Sequence, residues 1–288
     1  MKGIVLAGGS GTRLRPLTIA TSKQLLPIHD KPMIFYSIST LFLAGIRDIA
    51  IITNPEDKAS FVKLLGDGKR FGANFEFIEQ KKPNGIAEAF ILAEEFIGDL
   101  NVALILGDNI FHGLGFGRNL AKFTAETEAT ILAYHVSDPS EFGVVVINDD
   151  VPVQLVEKPA EFISPYAVPG LYFYGNDVIS RAKKIKPSNR GELEITTLNQ
   201  SYLETDQLRV SKIPRGVTWF DGGTLQSLHD ASEYVRVIEN REGQKIGCLE
   251  EISWRNNWIS TDDLRENAKL YQNTEYGDYL LRLSKECQ

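Results

Sequence analysis

Chemistry concentrates first in Leu6-Ala7-Gly8-Gly9-Ser10-Gly11-Thr12-Arg13-Leu14-Arg15-Pro16, followed by Lys23-Gln24-Leu25-Leu26-Pro27. Three glycines directly after an apolar run remove side chains, so backbone N–H groups can approach an anion closely. Arg13 and Lys23 add the full positive charge that a triphosphate requires. The dinucleotide fingerprint G-x-G-x-x-G fails, because Leu14 stands where the third glycine would follow Gly9-Ser10-Gly11. The P-loop pattern fails too, since no Lys directly follows its second glycine. A bare tight turn is the competing explanation, and the two cations weigh against it.

Two acidic residues stand out by position. Asp108 follows the apolar run Val102–Leu106 and Gly107, just past the carboxyl end of an expected central strand. That edge is where open α/β sheets bind ligands. Asp221 sits similarly, after Val217-Thr218-Trp219-Phe220 and before Gly222-Gly223. Two hard carboxylates on one edge suit Mg²⁺, which takes oxygen ligands and shares substrate phosphates. Either one alone is more often a turn or cap residue, and their convergence is a tertiary matter. No Ser sits in G-x-S-x-G and no nucleophile–base pair is evident. A reaction whose nucleophile is already an anion needs no base, and a phosphate monoester, with a second pKa near ~6, is such an anion at neutral pH.

The elements that must position these residues alternate. Gly3–Ala7, Asp48–Thr53, Asn74–Gln80 and Val102–Leu106 read as strands. Pro32, with Asp30 as its cap, is expected to open a helix ending at Gly45; Lys58–Leu65 and Ile86–Phe96 are further helices. The second puts Ala89, Leu92, Ala93 and Phe96 on one stripe. Strands separated by helices imply βαβ units. After about residue 135 the pattern changes. Gly143–Ile147 and Val153–Glu157 flank the turn Asn148-Asp149-Asp150 as a hairpin, and Gly170–Tyr174 and Leu208–Ile213 are strands. Helices are expected around Asp177–Lys184, Glu194–Leu203 and Thr224–Val237, and the tail from Gly247 reads as helical. The whole predicts a single α/β domain: a Rossmann-like, mostly parallel mixed sheet flanked by helices, with an inserted β-rich lobe. Its parts are residues 1–135, 136–240 and 241–288, the last a helical segment.

Composition bounds the function. The 288 residues are 43% hydrophobic and 24% charged, the balance of a globule with a sizeable core. A net charge of −7 argues against nucleic acid and anionic membranes as partners. No apolar run approaches the ~20 residues of a membrane span, and the first residues do not read as a secretory signal. Cys248 and Cys287 offer no disulfide framework, and His29, His112, His135 and His229 are too scattered for zinc. A reducing cytoplasm is the expected location.

The glycine segment with Lys23-Gln24-Leu25-Leu26-Pro27 resembles the signature of the sugar-phosphate nucleotidyltransferases. Gly107-Asp108-Asn109-Ile110-Phe111, Glu141-Phe142-Gly143-Val144-Val145, Val156-Glu157-Lys158-Pro159, Gly170-Leu171-Tyr172-Phe173-Tyr174, Arg190–Thr196 and Cys248–Asn256 extend the likeness over nearly the whole chain. These segments are similar to the thymidylyl-transferring branch. The resemblance implies that dTTP and α-D-glucose 1-phosphate give dTDP-glucose and pyrophosphate, the opening step of dTDP-deoxysugar synthesis. By the same resemblance Gly8, Gly9, Gly11 and Thr12 cradle the nucleotide, with Gln24 a further contact. Arg13 neutralises the departing pyrophosphate and Lys23 contacts the phosphates. Gln80 and Gly85 face the base, Asp108 and Asp221 hold Mg²⁺, and Lys158 orients the sugar phosphate. Asn109, Gly143, Glu157 and the Val168 backbone surround the glucose, and the chain forms a homotetramer. Trp219 reads better as core than as a substrate contact. Lys81-Lys82, Glu88 and Gly222 stand where the family pattern more often has Pro-Ser, Gln and Thr. A uridylyltransferase, a silent nucleotide-sugar sensor and, less well, a dinucleotide-dependent dehydrogenase are the rival readings.

Overall fold

The computed structural model describes residues 1–9, 11–126 and 128–286; Ser10 of the glycine loop and Cys287 lie outside them. In chain order the strands are β1 (Lys2–Ala7), β2 (Pro27–Ile28), β3 (Lys31–Pro32), β4 (Asp48–Thr53), β5 (Asn74–Glu79), β6 (Val102–Leu106), β7 (Ile110–His112), β8 (Ala129–His135), β9 (Gly143–Asn148), β10 (Val151–Glu157), β11 (Tyr166–Ala167), β12 (Leu171–Tyr174), β13 (Leu208–Lys212) and β14 (Thr218–Phe220). Ten of them form one mixed sheet in the order β10-β9-β11-β8-β12-β6-β1-β4-β5, with β13 paired beside β8. The wing β6-β1-β4-β5 is parallel throughout, and β12 joins it antiparallel along β6. The expected β-rich lobe is therefore no separate sheet: its strands continue the central one.

Alternation explains why this sheet carries two cores. Val5, Ala7, Ala103 and Ile105 face one cluster, which includes the helix Ile34–Leu43. Ile4, Leu6, Val102 and Leu104 face the other, with Phe90, Tyr174 and Tyr202. Strands with apolar residues at every position are buried on both faces, as the composition of Val102–Leu106 requires. A third cluster around Trp254, Leu264 and Leu280 holds the tail helices Leu249–Arg255, Thr261–Lys269 and Glu275–Leu283 together.

Three local expectations are corrected. Pro32 does not start a helix but ends the small hairpin β2-β3, and the helix begins at Ile34. Asp30 caps nothing there; it pairs with Lys31 and Lys245. The helix expected over Ile86–Phe96 is broken into Glu88–Leu92 and Glu94–Ile97, because Ala93 leaves helical geometry at φ −94°, ψ 14°. The helix expected to stop at Val237 continues from Leu225 to Glu242, capped at its start by Thr224, whose hydroxyl accepts from Ser227 N–H.

Candidate active site

The glycine loop leaves β1 at the carboxyl edge of the sheet. Gly8, Gly9, Gly11, Lys23, Gln24 and Asp108 line one cavity of about 200 Å³ with Leu6, Ile86 and Leu106. Its glycines have local causes. A Cβ on Gly8 would stand 2.8 Å from Gln80 Oε1, so the buried Gln80 amide presses directly on the loop. Asn54 clamps the next residue: its Oδ1 accepts from Gly9 N–H and its Nδ2 donates to Gly9 carbonyl, both at 3.3 Å. Thr12 and Arg13 lie exposed in the short turn Thr12–Leu14. Gln24 is buried, its Oε1 accepting from Ser22 Oγ at 2.7 Å.

Both oxygens of Asp108 are engaged. Lys23 Nζ pairs with Oδ2, and Asn109 Nδ2 donates to Oδ1 at 2.8 Å. Asn109 itself is buried, its Oδ1 accepting from Trp219 Nε1 at 2.7 Å and Gly170 N–H at 3.0 Å. That side chain positions Asp108 from inside the fold. Trp219 packs in the core against Phe111, Tyr134 and Phe142, as its sequence context suggested.

The pairing of β7 with β14 sets Ile110 opposite Phe220 and so brings the Asp108 and Asp221 loops side by side. Gly222, at φ +53°, lies so close that its Cβ would be 2.8 Å from the Asp108 carbonyl; glycine here lets the two loops touch. A Cβ on Gly223 would lie 3.1 Å from Asp221 Oδ2 and 3.3 Å from Arg13 Nη2, which places that arginine beside the second carboxylate. Asp221 Oδ1 accepts from Ser227 Oγ at 2.7 Å at the start of the long helix. Among the described residues no three His, Cys, Asp or Glu side chains form a metal cage. Two carboxylates at one edge fit an ion that keeps water and substrate oxygens as its other ligands, the habit of Mg²⁺.

The other end of the site is built from side chains. Thr196 Oγ1 donates to Glu157 Oε2 at 2.5 Å, and Gly143 faces both: a Cβ there would lie 3.2 and 3.3 Å from these two oxygens. Glu157, Lys158, Arg190, Glu194, Thr196 and Gln200 line a cavity of about 690 Å³ with neighbouring residues. Lys158 adopts φ +45°, donates its N–H to the Phe142 carbonyl at 3.0 Å, and holds Nζ 3.8 Å from Glu141 Oε2. Val168 N–H is taken by the Gly143 carbonyl at 2.8 Å, so that backbone donor belongs to the sheet. Burial, and then the charges of Glu157 and Asp108, push the Tyr172 phenol far above its ordinary range and keep it protonated between the two ends.

One strap joins the ends. Leu193 N–H donates to the Asn84 carbonyl at 2.6 Å, and its own carbonyl accepts from Ala87 N–H at 3.1 Å. Gly85, at φ +107°, passes so near that a Cβ would stand 2.4 Å from Leu193 O. Glu88 ties the same loop to Gln80: it accepts from Gln80 Nε2 at 2.8 Å and from Asn84 Nδ2 at 2.7 Å. Asn54, Glu88, Ser227 and Asn109's inward role are not apparent from sequence.

A strand-end glycine loop with paired carboxylates and a cation beside them defines a phosphate-handling α/β fold, and the chain belongs to the nucleotidyl transferase family, whose profile matches residues 2–237. The protein of Neisseria meningitidis serogroup A named glucose-1-phosphate thymidylyltransferase is 53% identical over 288 residues, covering 99% of this chain and all of its own length. The protein of that name from Mycolicibacterium smegmatis is 52% identical over 284 residues, covering 98% and 99%. A solved structure described as a putative glucose-1-phosphate thymidylyltransferase from Bacillus anthracis, in complex with a sucrose, superposes with a TM-score of 0.76 at 42% identity, covering 82% of this chain and 95% of that one. A UDP-glucose pyrophosphorylase with UDP-glucose shares the fold, with a TM-score of 0.73 at 23% identity, covering 82% and 98%.

Proposed function

We propose that this protein transfers a thymidylyl group from dTTP to α-D-glucose 1-phosphate, giving dTDP-glucose and pyrophosphate. The observation that carries the reading is that the glycine cradle, the Lys23–Asp108 pair, Arg13 and Asp221 meet at one sheet edge, in a chain whose relatives share that name. Residues 1–135 supply the nucleotide part of the site and residues 136–240 the sugar part. The homotetramer and the cytoplasmic setting belong to the same proposal; among the described residues no helix is long and apolar enough to cross a membrane.

In this reading the sugar phosphate, a dianion near neutral pH, attacks the α-phosphorus of dTTP in line, and pyrophosphate leaves. Repulsion is the first obstacle: two like charges 4 Å apart cost about 4 kcal/mol at an effective dielectric of 20. Lys158 brings a cation to the incoming phosphate, while Arg13 meets the departing one. The backbone of Gly8, Gly9 and Gly11, with Thr12, orients the triphosphate, and Lys23 and Gln24 line its path. Gln80 and Gly85 border the base, Gly143, Glu157 and the Val168 backbone carbonyl position the glucose, and Asn109 acts from behind them through Asp108. Asp108 and Asp221 would hold Mg²⁺, which when bound offsets triphosphate charge and polarises its oxygens.

No protein nucleophile enters this scheme. Positioning and charge carry the catalysis. dTTP and UTP differ by the base methyl group, which discriminates by only ~1–3 kcal/mol, and by the sugar 2′-hydroxyl, an addition that a pocket rejects only weakly, so UTP should be used more slowly rather than refused. The test is to mix glucose 1-phosphate and Mg²⁺ with dTTP or UTP and follow pyrophosphate and nucleotide sugar. Faster release from dTTP, with equimolar dTDP-glucose, supports the proposal. Release that ignores glucose 1-phosphate, or a faster rate with UTP, overturns it.

A further inference from the structure

A second cavity, of about 520 Å³, lies away from the glycine loop, between the helix Lys58–Leu65, the turn Lys69–Phe71 and the tail residues Tyr271–Tyr276. That volume is typical of small-molecule sites. Its walls include Phe35, Tyr271 and Tyr276; Ser60, Lys63 and Arg70 supply polar groups. We propose that this cavity binds a small molecule joining one phosphate or carboxylate to a planar apolar ring. The inference is independent of the transfer reaction.

Charge accounting gives the anion. Asp30, the acid on the cavity wall, is committed: Lys31 Nζ contacts its Oδ1 at 2.5 Å and Lys245 pairs with its Oδ2. Burial pushes this carboxyl up, but the two lysines outweigh it and hold Asp30 ionised, below the usual carboxylate range. Among the described residues the charges of Lys63 and Arg70 are not so matched. Arg70 Nη2 donates to the Leu64 carbonyl at 2.8 Å, yet its Nε is buried without a partner among the described residues. That nitrogen is sealed from the cavity, but the described residues give the guanidinium no carboxylate partner, and a bound oxyanion fits the accessible end of its planar fork. Lys63, exposed on the helix Lys58–Leu65 and lining the same cavity, adds a second cation.

The walls give the ring. The Tyr271 and Tyr276 hydroxyls donate to buried Glu250 at 3.0 and 2.6 Å. With those hydroxyls committed, the two rings stand edge to face, 4.9 Å between centroids, as apolar wall opposite Phe35 and Pro32. Such a surface favours a flat hydrophobic group over a bare ion.

Calorimetric titration of the full chain with phenyl phosphate, benzoate, inorganic phosphate and phenol tests this. Phenyl phosphate or benzoate should bind at least tenfold more tightly than inorganic phosphate or phenol. Lys63→Gln and Arg70→Gln should each weaken that binding roughly tenfold, the loss of one charged hydrogen bond, and leave transfer activity unchanged. Lys63 is exposed, so Lys63→Gln reads the charge in a folded chain even where Arg70→Gln, which also removes the bond to Leu64, lowers stability. Three results overturn the proposal: no binding of either ring-bearing anion, inorganic phosphate binding as tightly, or binding lost in Arg13→Ala but kept in both Lys63→Gln and Arg70→Gln, which would put the anion in the glycine-loop cleft.

Discussion

The central parallel strands of the sheet are buried almost end to end, with Ile4, Val5 and Ala7 of β1 and Val102–Ile105 of β6 fully inaccessible, whereas β9 and β10 in the antiparallel wing are partly exposed. Each wing holds its end of the site by different means. The parallel wing offers backbone: glycines pinned by Gln80 and Asn54, and a lysine already paired with Asp108. The antiparallel wing offers side chains on a half-open surface, with Thr196 and Arg190 around Glu157 and Lys158 only loosely opposed by Glu141. A rigid floor suits a ligand recognised by its phosphates. Adjustable side chains suit a sugar recognised by its hydroxyl pattern.

That contrast can be broken in several places. The largest effect is expected from Lys158→Ala and Arg13→Ala, one cation from each end: turnover should fall roughly 10²–10³-fold in steady-state assays, the cost of one preorganised donor. Near wild-type rates would remove that residue from the site. Gly85→Ala puts a methyl group against the strap that joins the wings, at a backbone angle alanine resists. A loss of about 2–4 kcal/mol is expected in thermal or denaturant unfolding. A neutral result would mean that the strap yields easily. Asp221→Asn should raise the Mg²⁺ concentration needed for half-maximal rate on the order of tenfold, and an unchanged metal titration would take Asp221 out of that role. Thr196→Val, which strips Glu157 of its hydroxyl partner, should raise KM for glucose 1-phosphate roughly tenfold while sparing KM for dTTP. Equal changes in both would show that the ends do not act separately.

The smallest effect concerns His112, whose Nδ1 lies 2.9 Å from the Tyr234 hydroxyl. Burial holds its imidazole below the ordinary 6.5, against the opposing pull of Glu242 and Glu239. As pH falls through 6.5 the unfolded chain takes up this proton before the folded one. Stability should therefore decline with acidification below that point and level off once the folded imidazole also protonates. Unfolding curves of His112→Asn should show a shallower decline over the same window.

Much of this architecture is legible before any coordinates. Val102–Leu106, Asp48–Thr53 and Lys58–Leu65 have the bounds their patterns suggest, because unbroken apolar runs and clean amphipathic stripes leave little choice. Asp149 and Asp150 both take positive φ in the turn that their types favour. Pro32 misleads: its fixed φ suits a helix start and a hairpin edge equally, and only contacts decide. The candidate site divides the same way. The cations and glycines announce themselves by type, but the Asp108 and Asp221 loops are brought together only by a strand pairing 110 residues apart, and Asn54, Glu88 and Ser227 act through partners that no local pattern encodes.

The claim underneath all of this is a single direct displacement between two substrates, with no covalent stop on the protein. It is most directly tested with dTTP made chiral at the α-phosphorus by one sulfur substitution, followed by determination of the configuration in the nucleotide-sugar product. Inversion is the expected result. Retention would demand a nucleotidylated side chain and contradict the account.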